Sequence, residues 1–247
     1  MNPAEFPNIA RSERDFWWYR GMREILFRLL DPVVARNAKA LEAGCGTGYL
    51  AKCLRERYGW SVTALDVRPE GLEYARGYGV DGLIQGDVGA LPFLRESFDA
   101  LVSMDVLVHV ARGEEQRALA EFARVLRPGG LLALRVSALD ILRSRHSQFV
   151  GEKQRFTRRP LVDEIRQAGF RIERAIYANS LLLPAALFKF RVWEPMMGAP
   201  PESGVDGSPG WLDTLFHAAL RLEAEWIGWG GGFPVGQSLL LIGRKPD

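Results

Sequence analysis

The chain is poor in several residue types that would place it in a recognisable class. Among its 247 residues cysteine occurs only as Cys45 and Cys53, too few and too close for a disulfide framework or a zinc site. No apolar run approaches the roughly 20 residues that cross a bilayer. The longest, Leu181 to Phe188, is broken by Pro184 and closed by Lys189. The opening MNPAEFPNIARSERDFWW holds no apolar signal core, so export is not expected. Charge is nearly balanced at a formal +2, without the Lys/Arg excess of a nucleic-acid-binding surface. Internal repeats are absent. These absences predict a soluble, reduced, cytoplasmic protein with no bound metal and no nucleic-acid partner.

What is present suits a packed globular core, with 47% hydrophobic and 25% charged residues. Strand-like and helix-like segments alternate, which predicts an α/β fold: a doubly wound, Rossmann-like, seven-stranded, mostly parallel sheet with helices on both faces. Strands are expected at Lys39 to Ala43, Ser61 to Asp66, Gly82 to Gln85, Phe98 to Met104, Leu131 to Val136, Arg171 to Tyr177 and Ser238 to Arg244. Helices are expected at Tyr49 to Tyr58, from Pro69, at Glu114 to Leu126 and after Thr157, a candidate N-cap. Pro128-Gly129-Gly130 reads as the exit from the third of these.

Three parts stand outside the alternation: an aromatic-rich helix at Arg14 to Leu30, a Pro/Gly/Ser-rich loop at Met196 to Gly210, and a helix at Trp211 to Trp229. The last is expected to turn Leu212, Leu215, Phe216, Ala219, Leu220 and Trp226 inward. The whole is read as one domain: 1–36 a cap or lid, 37–195 the core, 196–236 an insertion and 237–247 the last strand. Leu181 to Met197 reads as core beneath the late helix, with an interfacial membrane patch bearing Lys189 and Arg191 as the alternative.

The chemistry concentrates in Glu42-Ala43-Gly44-Cys45-Gly46-Thr47-Gly48. Alternate glycines after a strand allow a tight turn and a close backbone approach to a ligand. The following helix N-terminus favours an anionic group. Asp66 falls about 20 residues on, at the end of the second strand, where an acid accepts from ribose hydroxyls. Gly46 to Ala51 also fits the dinucleotide pattern, but a strand ending at Ala43 starts the turn at Gly44. The plainer alternative is a βα turn without a ligand.

With these residues the sequence resembles the class I S-adenosylmethionine-dependent methyltransferases, of the small bacterial type, over nearly its whole length. Further matches are Gly86-Asp87-Val88 with Leu91-Pro92-Phe93, the segment Ser97 to Ser103, and Glu121 to Gly130. The resemblance implies S-adenosylmethionine as cofactor and S-adenosylhomocysteine as product. It implies Gly44, Cys45 and Gly46 at the methionine part, Asp66 at ribose, Asp87 at adenine in the loop Gly86 to Val88, and Met104 on or near the adenosine, with Glu42, Gly48, Val67 and Val88 also among the cofactor-binding residues. Asp87 has an alternative as a turn-former.

The expected activity is methyl transfer to a small-molecule acceptor, at oxygen or nitrogen. His109, just past the fourth strand, is the candidate general base, or else completes local hydrogen bonding. His146, Lys153 and Arg155, with Phe156, are candidate acceptor contacts in a segment that is otherwise a solvated loop. Trp18 and Arg23, with Arg20 as an alternative near the methionine carboxylate, are candidates on the N-terminal helix, whose aromatic stripe would otherwise be packing. His217 reads as structural. Competing readings are an NAD-linked oxidoreductase and a non-catalytic cofactor-binding module.

Overall fold

The computed structural model describes residues 1–80, 82–198, 200–205 and 209–247. In chain order the elements are α1 (Phe6–Ser12), α2 (Trp17–Leu30), β1 (Lys39–Ala43), α3 (Tyr49–Tyr58), β2 (Ser61–Asp66), α4 (Pro69–Gly77), β3 (Gly82–Gln85) and β4 (Phe98–Met104). There follow α5 (Glu115–Val125), β5 (Leu126–Ser137), α6 (Arg145–Phe149), α7 (Arg158–Gln167), β6 (Arg171–Ala178), α8 (Leu183–Phe188), α9 (Glu194–Met197), α10 (Gly210–Gly228) and β7 (Ser238–Arg244). A π-helical turn, Lys189–Trp193, joins α8 to α9.

The sheet runs β3-β2-β1-β4-β5-β7-β6, with every strand parallel except β7, which lies antiparallel between β5 and β6. Neighbouring residues on a strand serve opposite faces. Ala40, Val102 and Leu240 join Ile25 of α2, Leu54 of α3 and Leu220 and Ile227 of α10 in one core layer. Leu41, Leu101 and Leu241 join Phe122 of α5 and Leu161 and Ile165 of α7 in the other. All seven expected strands and the expected doubly wound fold are present.

Several expectations are corrected. The expected helix at Arg14 to Leu30 is present as α2 but starts at Trp17, because Phe16 takes extended backbone at its N-cap, and a further helix, α1, precedes it. Strand β5 begins directly at Leu126, so Pro128 to Gly130 is strand rather than exit loop. A register shift between Phe98 and Ala100 absorbs it. Thr157 caps α7 by position, but its side chain makes no capping bond. Of the loop expected at Met196 to Gly210, the start is the end of α9, and 199 and 206–208 lie outside the described residues.

The late helix faces differently from the expectation. It buries His217, Leu220, Glu223, Ala224 and Ile227, while Leu215 and Trp226 are exposed. Gly21 of α2 decides this, because a Cβ there would stand 2.5 Å from the Leu220 Cβ, so only glycine lets these helices approach at Leu220. Nor is Leu181 to Met197 a core segment: Ala186 is its sole buried hydrophobic side chain. The short arm of α8, π-turn and α9 borders the cavity through Leu182, Ala185, Phe190 and Trp193 and leaves Phe188, Val192, Met196 and Met197 exposed. Among the described residues no helix is long and apolar enough to cross a membrane.

Candidate functional site

The carboxyl ends of the parallel strands open into a cavity of about 1270 Å³. This exceeds the roughly 300–1,000 Å³ of an ordinary small-ligand pocket and leaves room for two ligands side by side. At one end lies the glycine loop between β1 and α3. Strand β1 stops at Ala43, and Gly44 takes φ +83°, with a would-be Cβ 2.1 Å from Val106. The turn therefore begins at Gly44, as its register predicted. At Gly46, φ is +54° and a Cβ would meet nothing within 4 Å, so the backbone there faces open space. Gly48 does not line the cavity: its Cβ would strike Ala75 of α4 at 2.5 Å, and its role is packing.

Asp66, 8% exposed, ends β2 beside this loop. Its Oδ2 accepts from the Gly46 N–H at 2.8 Å and its Oδ1 from the Arg68 N–H at 2.8 Å. An ionised carboxylate offers about four acceptor positions, so two remain for hydroxyl donors. Glu42 is buried in the cavity wall, and its Oε2 has no hydrogen-bond partner. Burial pushes its carboxyl well above the usual range. Burial likewise keeps the Cys45 thiol protonated, which suits a packing contact and not a nucleophile.

Asp87 reaches the cavity but also accepts from the Gly89 N–H at 2.7 Å, so it is a turn-former as well. Val67, Val88 and Met104 complete this half of the wall. The residues present fit an adenosine-bearing cofactor with a cationic end: an acid at the ribose position, an open glycine backbone, and a buried carboxyl group with one oxygen lacking a partner.

The N-terminal helices close over the loop. Glu13, at the break between α1 and α2, accepts from the hydroxyls of Thr47 and of Tyr78, the latter at 2.8 Å. Arg23 donates to the Glu13 carbonyl at 3.0 Å and lies 4.9 Å over the Tyr49 ring, lining the cavity. Arg20 points elsewhere. It donates to His217 Nδ1 at 3.0 Å, and His217 Nε2 donates to Glu24 at 3.0 Å, so His217 pins α2 to α10 as a structural residue. Further along, Ser203 donates to Glu5 at 3.0 Å and Ser12 to the Val205 carbonyl at 3.0 Å, which ties α1 to residues 203–205.

The other half of the cavity is built on β4, β5 and β6. His109 ends a short 3-10 turn, and its Nδ1 donates to the Gly151 carbonyl at 3.3 Å. Nε2 of that tautomer is an acceptor. Burial holds the imidazole below its ordinary pKa, so it is neutral at pH 7. Lys153 is brought beside this turn by its own N–H, which donates to the Val108 carbonyl at 2.8 Å. Arg155 lines the cavity with its guanidinium committed to Glu152, the Ala138 carbonyl and Ser147. His146 accepts from the Gly204 N–H at 3.0 Å.

Sequence reading passed over a second polar group. Asp105, with φ +56°, pairs with Arg135, whose guanidinium lies 4.7 Å over the Trp18 ring. Asp105 Oδ1 and Arg135 Nε are buried without partners. Asn179 and Gln237 stand in the same wall. Arg135 had a readable signal, as the one cation within the apolar run Leu131 to Val136.

Comparison with known proteins agrees with this geometry. Residues 41–134 match the family described as "Methyltransferase domain". The malonyl-[acyl-carrier protein] O-methyltransferase of Enterobacter lignolyticus is 33% identical over 175 residues, 68% of this chain and 61% of that protein. The ubiquinone biosynthesis O-methyltransferase of Xanthomonas oryzae is 34% identical over 148 residues, 54% of this chain and 61% of its own. The chain thus spans about six tenths of the length of these curated relatives. Among solved structures, the complex of the Haloferax volcanii Trm112 methyltransferase activator with a methyltransferase superposes with a TM-score of 0.65 at 21% identity, covering 100% of this chain and 98% of that one. Residues 41–134 thus match a methyltransferase domain, and with its glycine-loop register and sheet order the chain is similar in sequence and fold to the class I S-adenosylmethionine-dependent methyltransferases.

Proposed function

We propose that the protein transfers the methyl group of S-adenosylmethionine to a small-molecule acceptor, at oxygen or nitrogen. The observation that carries this reading is one continuous cavity lined both by the open Gly46 backbone, Asp66 and Glu42, whose Oε2 lacks a partner, and by His109, Asp105 and Arg135. The O-methyltransferase relatives favour oxygen.

The bound cofactor supplies an electrophilic methyl group, so the protein's own work is positioning, exclusion of water and removal of a proton. Asp66 would accept from the ribose hydroxyls with its two remaining acceptor positions. Asp87 and Val88 would hold the adenine. Glu42 would meet the cationic end of the methionine, which restores the ionised carboxylate that burial disfavours. On the acceptor side, neutral His109 would take the hydroxyl or amine proton on Nε2, while Gly151 fixes the ring. Trp18, Arg23, His146, Lys153 and Arg155 would shape the acceptor chamber, and the N-terminal helices would act as its lid.

Calorimetry and thermal shift with S-adenosylhomocysteine and with NAD test the assignment. Ligand that binds only the folded state raises the melting temperature by mass action. Stabilisation by S-adenosylhomocysteine alone is expected. Stabilisation by NAD alone would move the protein to the oxidoreductases, and no response to either would leave a module without this cofactor.

A further inference from the structure

We propose that the arm from Leu181 to Met197 docks on an anionic lipid surface and holds the cavity against a bilayer. The arm is apolar on two sides. Leu182, Ala185, Phe190 and Trp193 line the cavity. Phe188, Val192, Met196 and Met197 turn to solvent, 59%, 43%, 78% and 57% exposed. A helical segment with large apolar side chains on two sides calls for a cover on its outer side. The start of α10 repeats the pattern, since Phe216 lines the cavity while Trp211 and Leu215 are exposed. Two elements of the cavity wall therefore carry large apolar side chains on their outer surfaces.

Charge selects the occupant. Leu181 to Trp193 holds no carboxylate and two cations, Lys189 at the cavity rim and Arg191, whose guanidinium donates to the carbonyls of Ile141 and Asp140 and keeps its charge. Glu194, the first acid beyond, accepts from the Arg145 N–H at 2.9 Å. Aromatic and aliphatic side chains bordered by cations match the composition of segments that lie in a membrane interface. A symmetric pairing of two copies through this face would bring Lys189 and Arg191 toward their own images. An anionic headgroup layer attracts both. An acceptor with an apolar tail would then pass from the lipid along Phe190 and Trp193 into the chamber.

Docking follows from exposure and charge, independently of the cofactor reading; the passage of the acceptor rests on that reading. The test is sedimentation of the full chain with vesicles of phosphatidylcholine alone and of phosphatidylcholine with phosphatidylglycerol. Binding to the anionic vesicles is expected to be about tenfold tighter or more, and to weaken as salt is raised. The double variant Phe188→Glu with Met196→Glu, at positions outside the cavity wall, is expected to lose that binding about tenfold or more, with its response to S-adenosylhomocysteine unchanged.

Wild-type protein that ignores anionic vesicles, or a double variant that sediments as well as wild type, would overturn the proposal. So would a dimer in light scattering that the double variant abolishes while vesicles go unbound, since a second copy would then be the cover. Vesicle binding by a protein that S-adenosylhomocysteine does not stabilise would support docking and remove the cofactor reading alone.

Discussion

Asp66 and Glu42 are buried carboxylates on neighbouring strands, and their surroundings give them different work. Asp66 is held in place by two backbone N–H groups. Asp66→Ala removes the acceptor for the ribose and also the tie between β2 and the glycine loop. A hydrogen bond to a charged group is worth ~1.5–3 kcal/mol, so S-adenosylhomocysteine affinity should fall on the order of tenfold or more by calorimetry. Unchanged affinity would refute the ribose role.

Glu42 is raised by burial, so its contribution to stability is present below the ordinary carboxylate pKa and is lost as pH rises through the raised value. Glu42→Gln should therefore raise the melting temperature of the ligand-free protein at pH 8 and weaken S-adenosylhomocysteine. A lower melting temperature would show that the carboxylate is satisfied in the free protein. His109 is depressed by burial. As the base it would give a kcat/KM that rises with pH along a limb whose midpoint lies below the ordinary imidazole value near 6.5, a limb that should vanish in His109→Gln. A limb that survives the substitution would assign the base elsewhere, with Asp105 the next group to test.

Helix packing shows a different sensitivity. Gly21→Ala gains roughly 1 kcal/mol of helix propensity. Against that, the new Cβ would stand 2.4 Å from Leu220 Cδ1 and 2.5 Å from Leu220 Cβ, so α2 and α10 must move apart. Overpacking of this kind costs ~1–3 kcal/mol, and the melting temperature should fall; a rise would mean that the helices slide without loss.

The same pair of helices explains what the sequence made legible. Strands such as Ser61 to Asp66 and Ser238 to Arg244 could be read because alternation and turn residues are local signals. The inward face of α10 could not, since apolar residues surround that helix and a glycine on a distant helix decides which side is buried. The glycine loop and Asp66 were readable from spacing. Asp105 and Arg135 were not read as a pair, because adjacent parallel strands bring them together across 30 residues of chain.

At the scale of the molecule, the cavity is bordered by the N-terminal helices and by residues 203–205, two segments far apart in sequence that are joined through Glu5, Ser12 and Ser203. Glu13 fastens these segments to Thr47 in the glycine loop. Ligand in the loop should therefore tighten them as a unit. Amide hydrogen exchange is expected to slow in residues 1–16 and 200–205 together when S-adenosylhomocysteine binds. Protection confined to the glycine loop would show that the N-terminal helices are not a lid.

The order of the sheet also bears on how the chain is made. Strand β6 pairs with β7, and β7 alone joins it to β5. Emerging from the ribosome, β6 has no strand to dock on until residues 238–244 are free. Five strands can assemble early, while β6 and the edge of β5 wait, unpaired and open to wrong partners. The strand that ties β6 to the rest of the sheet is thus made after β6 itself, and a chaperone able to shelter β5 and β6 would act in that interval.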